Sequence, residues 1–136
     1  MSTDSGSLEQ NKALAYRWLE EVWNKGRREA IRELFAKTGV YHRGASDHRG
    51  PEGFVHIYDI LRANFSELSI KPIVSLAEVD LVCVHWSVNC AYSTTKTPVH
   101  FTGTTIWRIK DGQIVEAWQN WDAAGLMDQI PGLAIP

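Results

Sequence analysis

The chain has 136 residues, of which 44% are hydrophobic and 22% are charged, and its formal net charge is -2. These values are typical of one soluble globular domain with its own core, here spanning residues 1–136 with a core over about 8–130. The small negative charge excludes the basic surface that nucleic-acid binding requires, and no stretch approaches the ~20 apolar residues of a membrane span. The polar N-terminus, MSTDSGSLEQ, lacks a signal-peptide pattern, so we expect a cytoplasmic protein without nucleic-acid or membrane partners.

Three helices are predicted in the first half of the chain. The first begins with the capping-box sequence Ser7-Leu8-Glu9-Gln10 and ends at Asn24-Lys25-Gly26. The second is expected over about residues 27–37, and the segment HRGASDHRG after it reads as a polar loop. The third starts at Gly50-Pro51, with proline in its first turn, and extends to about Phe65.

The spacing of apolar residues changes to two after residue 66, which indicates strands. Four are predicted, at about 69–77, 81–93, 99–110 and 113–122, and the short turns between them favour antiparallel pairing. Helices followed by such strands predict an α+β domain with the helices packed on one face of the sheet. Large apolar side chains fall on both faces of the last two strands, so we expect the second face to be covered by another subunit in a homodimer.

The Asp111-Gly112 dipeptide is the strongest hairpin signal, and it allows two registers. A two-residue turn pairs Ile109 with Ile114 and sets Phe101 opposite Asp122. A glycine bulge instead pairs Ile109 with Gln113 and sets His100 opposite Asp122. We favour the second register, because it groups isoleucine, threonines and a histidine with Trp118 and Asp122, a mixture suited to a largely apolar pocket.

The sequence offers little support for a metal or disulfide site. Cys83 and Cys90 lie seven positions apart on one predicted strand, far beyond disulfide reach and on opposite faces. His85 and His100 lack a clear carboxylate as third ligand, so we expect no zinc. The common zinc, serine-hydrolase, dinucleotide and P-loop motifs are all missing from the sequence.

Three stretches carry a family resemblance: GPEGFVHIYDILRANF, then EVDLVCVHW, then TGTTIWRIKDGQIVEAWQNWDAAGLMDQI. In this order they resemble the SnoaL-like polyketide cyclase family, within the nuclear transport factor 2-like superfamily of cone folds. The resemblance implies a strongly curved, mostly antiparallel sheet around an internal pocket, helices at its mouth, dimerisation through the outer sheet face and no cofactor. Cyclases of this family close a polyketide ring by intramolecular aldol chemistry with an aspartate as acid and base, and that position falls on Asp122.

The candidate catalytic residues are Asp122 and His100. Alternation along the last strand puts Asp122 on one face with an indole and an amide, where lost hydration would raise the pKa of its carboxyl. Asp122 can equally be a structural residue that begins the following turn. His85 lies on a face that is either exposed to water or lines a polar pocket. The substrate-binding candidates are Trp118, His85, Arg108, Trp18, Tyr16 and Asn120.

The sequence supports several functions on this fold. The first is a cofactor-free cyclase, or a related isomerase or lyase, that binds a hydrophobic carbonyl compound and uses Asp122 as general base and then acid. The second is a non-catalytic binder of a small hydrophobic ligand. An epoxide hydrolase would need an Asp-Arg-Asp set, and Arg108 has only Asp111 nearby, in the turn. A ketosteroid isomerase-like site would use Tyr16 and Asp47.

Overall fold

The computed structural model describes residues 7–130 and Gly132. The fold is α+β, as the sequence predicts: N-terminal helices pack on one face of an open six-stranded sheet with the order β2-β1-β6-β5-β4-β3. The helices are α1 (Leu8–Arg17), a π-helical segment (Trp18–Asn24), α2 (Glu29–Leu34), α3 (Gly50–Asn64) and α4 (Ala123–Gln129). The strands are β1 (Phe35–Arg43), β2 (Ser46–Arg49), β3 (Phe65–Glu78), β4 (Leu81–Tyr92), β5 (Thr97–Lys110) and β6 (Gln113–Trp121).

The predicted capping box of α1 is confirmed. The Ser7 hydroxyl accepts a hydrogen bond from the Gln10 backbone N–H at 3.0 Å, and the Gln10 side chain accepts one from the Ser7 N–H at 3.1 Å. The helix continues into the π-helical segment, whose last residue is Asn24. The Asn24 side-chain amide pairs with both backbone groups of Ile70, at 2.7 and 3.0 Å, and so occupies hydrogen-bonding positions on the outer edge of β3.

The region between the second and third helices differs from the prediction. The helix expected over 27–37 is shorter, Glu29–Leu34, and the chain enters β1 directly at Phe35. The segment interpreted as a polar loop contains the end of β1 and all of β2, which form an antiparallel hairpin. The apolar residues Phe35 and Ala36 continue the helical pattern of α2, so the sequence gives no sign of the change to a strand.

β1 joins the sheet beside β6, and this is the parallel pair in an otherwise antiparallel sheet. Val40 pairs with Glu116 and Arg43 with Gln119. The third helix and the four later strands lie close to their predicted positions. Between helices and sheet lies an aromatic core, in which the Phe54 ring is 5.0 Å from Trp18 and 5.1 Å from Tyr41.

The β5–β6 hairpin combines features of both predicted registers. Asp111 and Gly112 form a two-residue turn with φ of 51° and 74°, the positive values that such turns require. Ile109 therefore pairs with Ile114, as in the first register.

The register changes immediately after this pair. Arg108 pairs with Glu116, so Val115 has no partner on β5 and forms a β-bulge. The shift brings the backbone N–H of Asp122 to the Thr102 carbonyl, at 2.8 Å. The expectation that His100 lies opposite Asp122 is therefore wrong.

Gly103 gives space to a buried tryptophan. A Cβ atom at this position would lie 2.4 Å from Cη2 of Trp86 and 2.8 Å from the Asn120 carbonyl oxygen, closer than atoms can approach. The Trp86 ring therefore lies directly over the backbone of β5, and a residue with a side chain cannot replace Gly103 without displacing it.

We predict that Gly103→Ala lowers the free energy of unfolding by about 1–3 kcal/mol, because the added methyl group overpacks the core. Urea denaturation followed by tryptophan fluorescence measures the loss. The same substitution in a Trp86→Leu background should cost less, since the smaller side chain leaves room for the methyl group. Equal losses in both backgrounds would contradict this account.

Candidate functional site

An internal cavity opens between the inner face of the sheet, the π-helical segment and α3. About 530 Å³ of space, including the part open to solvent, lies between its walls. The walls are mostly aromatic and aliphatic, as is usual for a small-molecule site. The residues of this inner cavity are Trp18, Leu19, Trp23, Leu61, Phe65, Leu68, Ile70, Trp86, Val88, Phe101, Thr105, Trp107, Gln119 and Trp121.

Two polar side chains of the inner cavity form a directed chain of hydrogen bonds with Trp86. The Trp86 indole N–H donates to the Thr105 hydroxyl at 2.9 Å, and this hydroxyl donates to Gln119 Oε1 at 3.3 Å. Because an indole can only donate, the Thr105 hydroxyl accepts the Trp86 proton, and in the structure it donates its own proton to the Gln119 carbonyl oxygen. The Gln119 amide nitrogen then has no hydrogen-bond partner among residues 7–130 and can donate to a ligand oxygen.

A second, more open pocket adjoins the inner cavity, and Gln119 and Trp121 line both. This mouth groove lies where the β1–β2 hairpin, α3 and the end of β6 meet. Its lining is more polar than that of the inner cavity. The groove is formed by Arg43, Gly44, Ser46, His48, His56, Ile57, Gln119, Asn120, Trp121 and Ala123.

Of the predicted substrate-binding residues, the structure brings Trp18 to the inner cavity and Asn120 to the mouth groove. Trp18 is 3% exposed and packs edge-on against Phe54. Asn120 is exposed at the end of β6. Each of these two residues therefore lines one of the two adjoining pockets.

The catalytic hypothesis places Asp122 inside the cavity, but in the structure it lies at the rim. It is exposed and forms the N-cap of α4, where its Oδ1 accepts a hydrogen bond from the Gly125 N–H at 3.0 Å. This is the structural alternative that the sequence left open. Asp122 nevertheless lies between Trp121 and Ala123, both of which line the mouth groove.

His100 does not join Asp122, because the observed register sets Thr102 opposite Asp122. The His100 side chain lies on the opposite face from the cavity residue Phe101. Its Nδ1 lies 3.0 Å from Asn89 Oδ1, and its backbone binds the Gln129 side chain. The exposed His100 ring is thus paired with β4, away from the inner cavity.

Trp118 and Arg108 share one face of the sheet, as the favoured register predicts, and His85 lies there too, but it is the outer face. Ile106 pairs with Trp118, and His85 Nδ1 lies 3.0 Å from the Thr104 hydroxyl. The bulge at Val115 changes the phase of β6, so that Ala117, Gln119 and Trp121 point inward instead. The expectation that Trp118 lines the pocket is wrong, because the face that it shares with Arg108 is the outer one.

The two residues of an isomerase-like site are not brought together. The Tyr16 hydroxyl bonds to Ser75 on β3, whereas Asp47 lies on β2, at the opposite edge of the sheet. An epoxide hydrolase-like set is not formed either, because Arg108 binds both oxygens of Asp80 at 3.0 Å on the outer side of the sheet.

Cysteine and metal chemistry have no centre in residues 7–130. Burial raises the pKa of the Cys90 thiol to about 11, so it is not a thiolate at neutral pH. Neither cysteine is in a disulfide. This part of the chain holds no group of three or more His, Cys, Asp or Glu side chains arranged to bind a metal ion. None of its helices has the length and apolar character to cross a membrane.

Comparison with known families agrees with the geometry of the site. The family model of SnoaL-like polyketide cyclases matches residues 13–130, which include every strand and both pockets. The chain belongs to this family. No protein of curated function matches the sequence significantly.

Solved structures of similar fold cover nearly the whole chain. A SnoaL-like candidate polyketide cyclase from Jannaschia sp. CCS1 has a TM-score of 0.85 at 20% identity, covering 98% of this chain and 100% of its own. AclR of Streptomyces galilaeus, a candidate hydroxylase, has 0.84 at 19%, with coverage of 94% and 100%. IdmH of Streptomyces antibioticus, a candidate polyketide cyclase, has 0.80 at 23%, with coverage of 89% and 98%. At such identities the likeness establishes the fold of this family member, and no more.

The residues of the site that sequence reasoning missed include Arg43, Thr105, Gln119 and Trp121. A usable signal existed for the inner face, because Val82, Val84, Trp86, Val88 and Cys90 alternate along β4 as its apolar side. Thr105 pairs with Val84, so this face can be followed onto β5. The bulge and the hidden strand β1 left Gln119 and Arg43 without such a signal.

A network of charged side chains covers part of the outer face, with His42 at its centre. The two ring nitrogens of His42 each lie 2.7 Å from a carboxylate oxygen, of Asp47 and of Glu116. Both nitrogens can donate only when the ring is protonated. The hydrogen bond to Asp47 first, and that to Glu116 second, raise the pKa of His42 above its ordinary value.

We predict that His42 stabilises the protein in a pH-dependent way. Since its pKa is higher in the folded state, the stabilisation is complete below the unfolded pKa of about 6.5 and is lost as pH rises through the folded pKa. The stability difference between wild type and His42→Asn should be larger at about pH 6 than at about pH 9. Chemical denaturation across this range tests it.

Asp47→Asn is the matched control, because it removes the main cause of the raised pKa and leaves the histidine in place. This variant should show a weaker pH dependence than wild type. A His42→Asn difference that is constant with pH would contradict the role assigned to the protonated ring.

Proposed function

We propose that the inner cavity binds a small molecule with an apolar, aromatic body. The observation that carries this is the lining, in which five tryptophans and two phenylalanines surround two polar side chains. Flat rings favour aromatic ligands through stacking and edge-to-face contacts. The unpartnered Gln119 amide supplies one donor, suited to a carbonyl oxygen of such a ligand. Family membership supports the same class of ligand.

We further propose that the protein is a cofactor-free catalyst of the polyketide-cyclase type. Asp122 takes a proton from a carbon next to a carbonyl of the ligand. The resulting enolate attacks a second carbonyl of the same molecule, a carbon–carbon bond forms, and the new alkoxide receives the proton from Asp122. The membership of the chain in the family and the rim position of Asp122 beside Trp121 support this step.

A specific observation favours a second candidate, a non-catalytic binding protein. The Asp122 carboxylate is exposed and already accepts the Gly125 N–H, as an ordinary helix cap does. A capping residue need have no chemical role. The two candidates make different predictions for substitutions of this one residue.

Two substitutions of Asp122 separate the cap from the chemistry. Asn retains a capping oxygen but cannot act as a base, whereas Ala removes both, at a cost to stability of about 0.5–2 kcal/mol. If Asp122 is the base, both variants lose turnover by roughly 10² to 10⁴. Turnover is followed by chromatography of aromatic polyketide ketones incubated with the protein, and unfolding by thermal melts.

Binding of methyl naphthoate, a neutral aromatic probe, is measured alongside by calorimetry. We expect both variants to retain it, because Asp122 does not line the inner cavity. Turnover that survives in Asp122→Asn, together with a lower stability of Asp122→Ala, would establish the cap and contradict the catalytic role. Failure of wild type to bind any aromatic probe would contradict the binding proposal itself.

We also propose that a second copy of the chain covers the outer sheet face. A row of side chains there crosses four strands by direct pairing: Leu76, Cys83, Ile106 and Trp118. Leu76 is 66% exposed, which is unusual for a leucine in a sheet. Beside this outer stripe, Arg108 is paired with Asp80 and Glu116, so the flanking charges already have partners.

We predict that Leu76→Glu converts a dimer into a monomer, because a carboxylate would have to be desolvated within the interface. Sedimentation velocity at micromolar concentration measures the change. Val79→Glu is the control, since Val79 is 68% exposed but lies in the β3–β4 turn outside the outer stripe. A wild-type protein that is monomeric would overturn the proposal.

A further inference from the structure

Among the residues that the structure describes, those lining the mouth groove are basic or neutral, and none is a carboxylate. Arg43, His48 and His56 line it, together with Ser46 and Asn120. The carboxylates nearest in sequence are occupied elsewhere. Asp47 is bonded to His42 on the outer side of the sheet, and Asp122 caps α4. The groove is therefore electropositive relative to the rest of this acidic protein.

Within residues 7–130, Arg43 differs from most arginines in that its side chain has no ion pair. The guanidinium makes no hydrogen bond or salt bridge to this part of the chain, although the residue is half-buried. Five other arginines are each bonded to at least one carboxylate: Arg17, Arg27, Arg28, Arg32 and Arg108. A partly buried guanidinium without a partner has hydrogen-bond donors available for an anion.

The Arg43 side chain also contacts a residue of the inner cavity wall. The Arg43 guanidinium lies over the Trp121 ring, 5.7 Å from its centroid. Trp121 lines both the inner cavity and the mouth groove. Arg43 also pairs in register with Gln119, whose side chain accepts a hydrogen bond from the Thr105 hydroxyl.

The inner face thus carries a continuous polar row across four neighbouring strands. Thr105 pairs with Gln119, Gln119 with Arg43, and Arg43 with Ser46. The row begins inside the apolar cavity and ends at the rim. Thr105 and Gln119 at the cavity are neutral donors, whereas Arg43 at the rim carries a positive charge, an arrangement that suits a ligand with a neutral body and an anionic end.

We propose that Arg43 is the anchor for an anionic group of the ligand. The ligand class is then an aromatic compound with a carboxylate at one end. Its rings occupy the inner cavity and its carboxylate meets Arg43 at the mouth groove, with Ser46 as a further donor. A guanidinium can bind a carboxylate through two parallel hydrogen bonds, and stacking on Trp121 holds it in place. This inference rests on the proposed binding function of the inner cavity.

The test compares two ligands that differ in one charge. Naphthoate and its methyl ester share the aromatic body, and only the first has a carboxylate. Isothermal titration calorimetry should show that wild type binds naphthoate more tightly than the ester. In Arg43→Gln the affinity for naphthoate should fall by roughly three- to thirtyfold, and that for the ester should stay the same.

Arg49→Gln is the matched control, because it removes the same charge from an exposed arginine at the end of β2 that does not line the groove. It should keep the wild-type preference for naphthoate. Arg43→Lys keeps the charge without the paired donors and should retain part of the preference.

The outcomes separate this inference from the function on which it rests. Equal binding of naphthoate and ester by wild type overturns the anion site and leaves the aromatic cavity standing. An equal loss in Arg43→Gln and Arg49→Gln also overturns it, since the effect is then one of net charge. If wild type binds neither compound, both proposals fail. The comparison of naphthoate with its methyl ester in wild type tests the anion site even if Arg43→Gln does not fold.

Discussion

One unpaired residue, Val115, determines which side of β6 faces the interior. Without this bulge, Ile114, Glu116, Trp118 and Asn120 would alternate onto a single face, and a glutamate would enter the core beside buried Ile114. The extra residue moves the strand by one position. Glu116 then faces outward, and the later inward positions, including Gln119, complete the inner cavity. Both the outward position of Glu116 and the inner cavity therefore depend on the bulge.

The two faces of the sheet differ in whether their polar side chains have hydrogen-bond partners within the protein. On the outer face the ionisable side chains bind one another: Glu116 binds both His42 and Arg108, and these two side chains lie near the Trp118 ring. On the inner face the polar groups form a chain with donors left over at Gln119 and Arg43. A satisfied network contributes to stability, whereas unused donors in a concave, largely apolar site are available to a ligand.

The sequence predicts the elements whose patterns are local. The capping box at Ser7, the proline at the start of α3 and the Asp-Gly turn all occur where expected. β1 escapes prediction because its stability comes from its neighbours: it begins with residues that extend the pattern of α2 and is held between β2 and β6. The site depends on such non-local pairing. Family resemblance gave the fold and the pocket, and the favoured register grouped Trp118 with Arg108 correctly, but nothing local to β6 shows that this face is the outer one.

The parallel pairing of β1 with β6 also sets an order of assembly. Val40 cannot meet Glu116 until nearly the whole chain exists, because β6 is the last strand. Until then the β1–β2 hairpin has no sheet to join, and the aromatic side chains of the early helices lack most of their cover. Contacts between such distant segments form slowly and expose apolar surface meanwhile. During synthesis the binding site is thus among the last features to form, and a chain truncated before residue 113 would have no mouth groove at all.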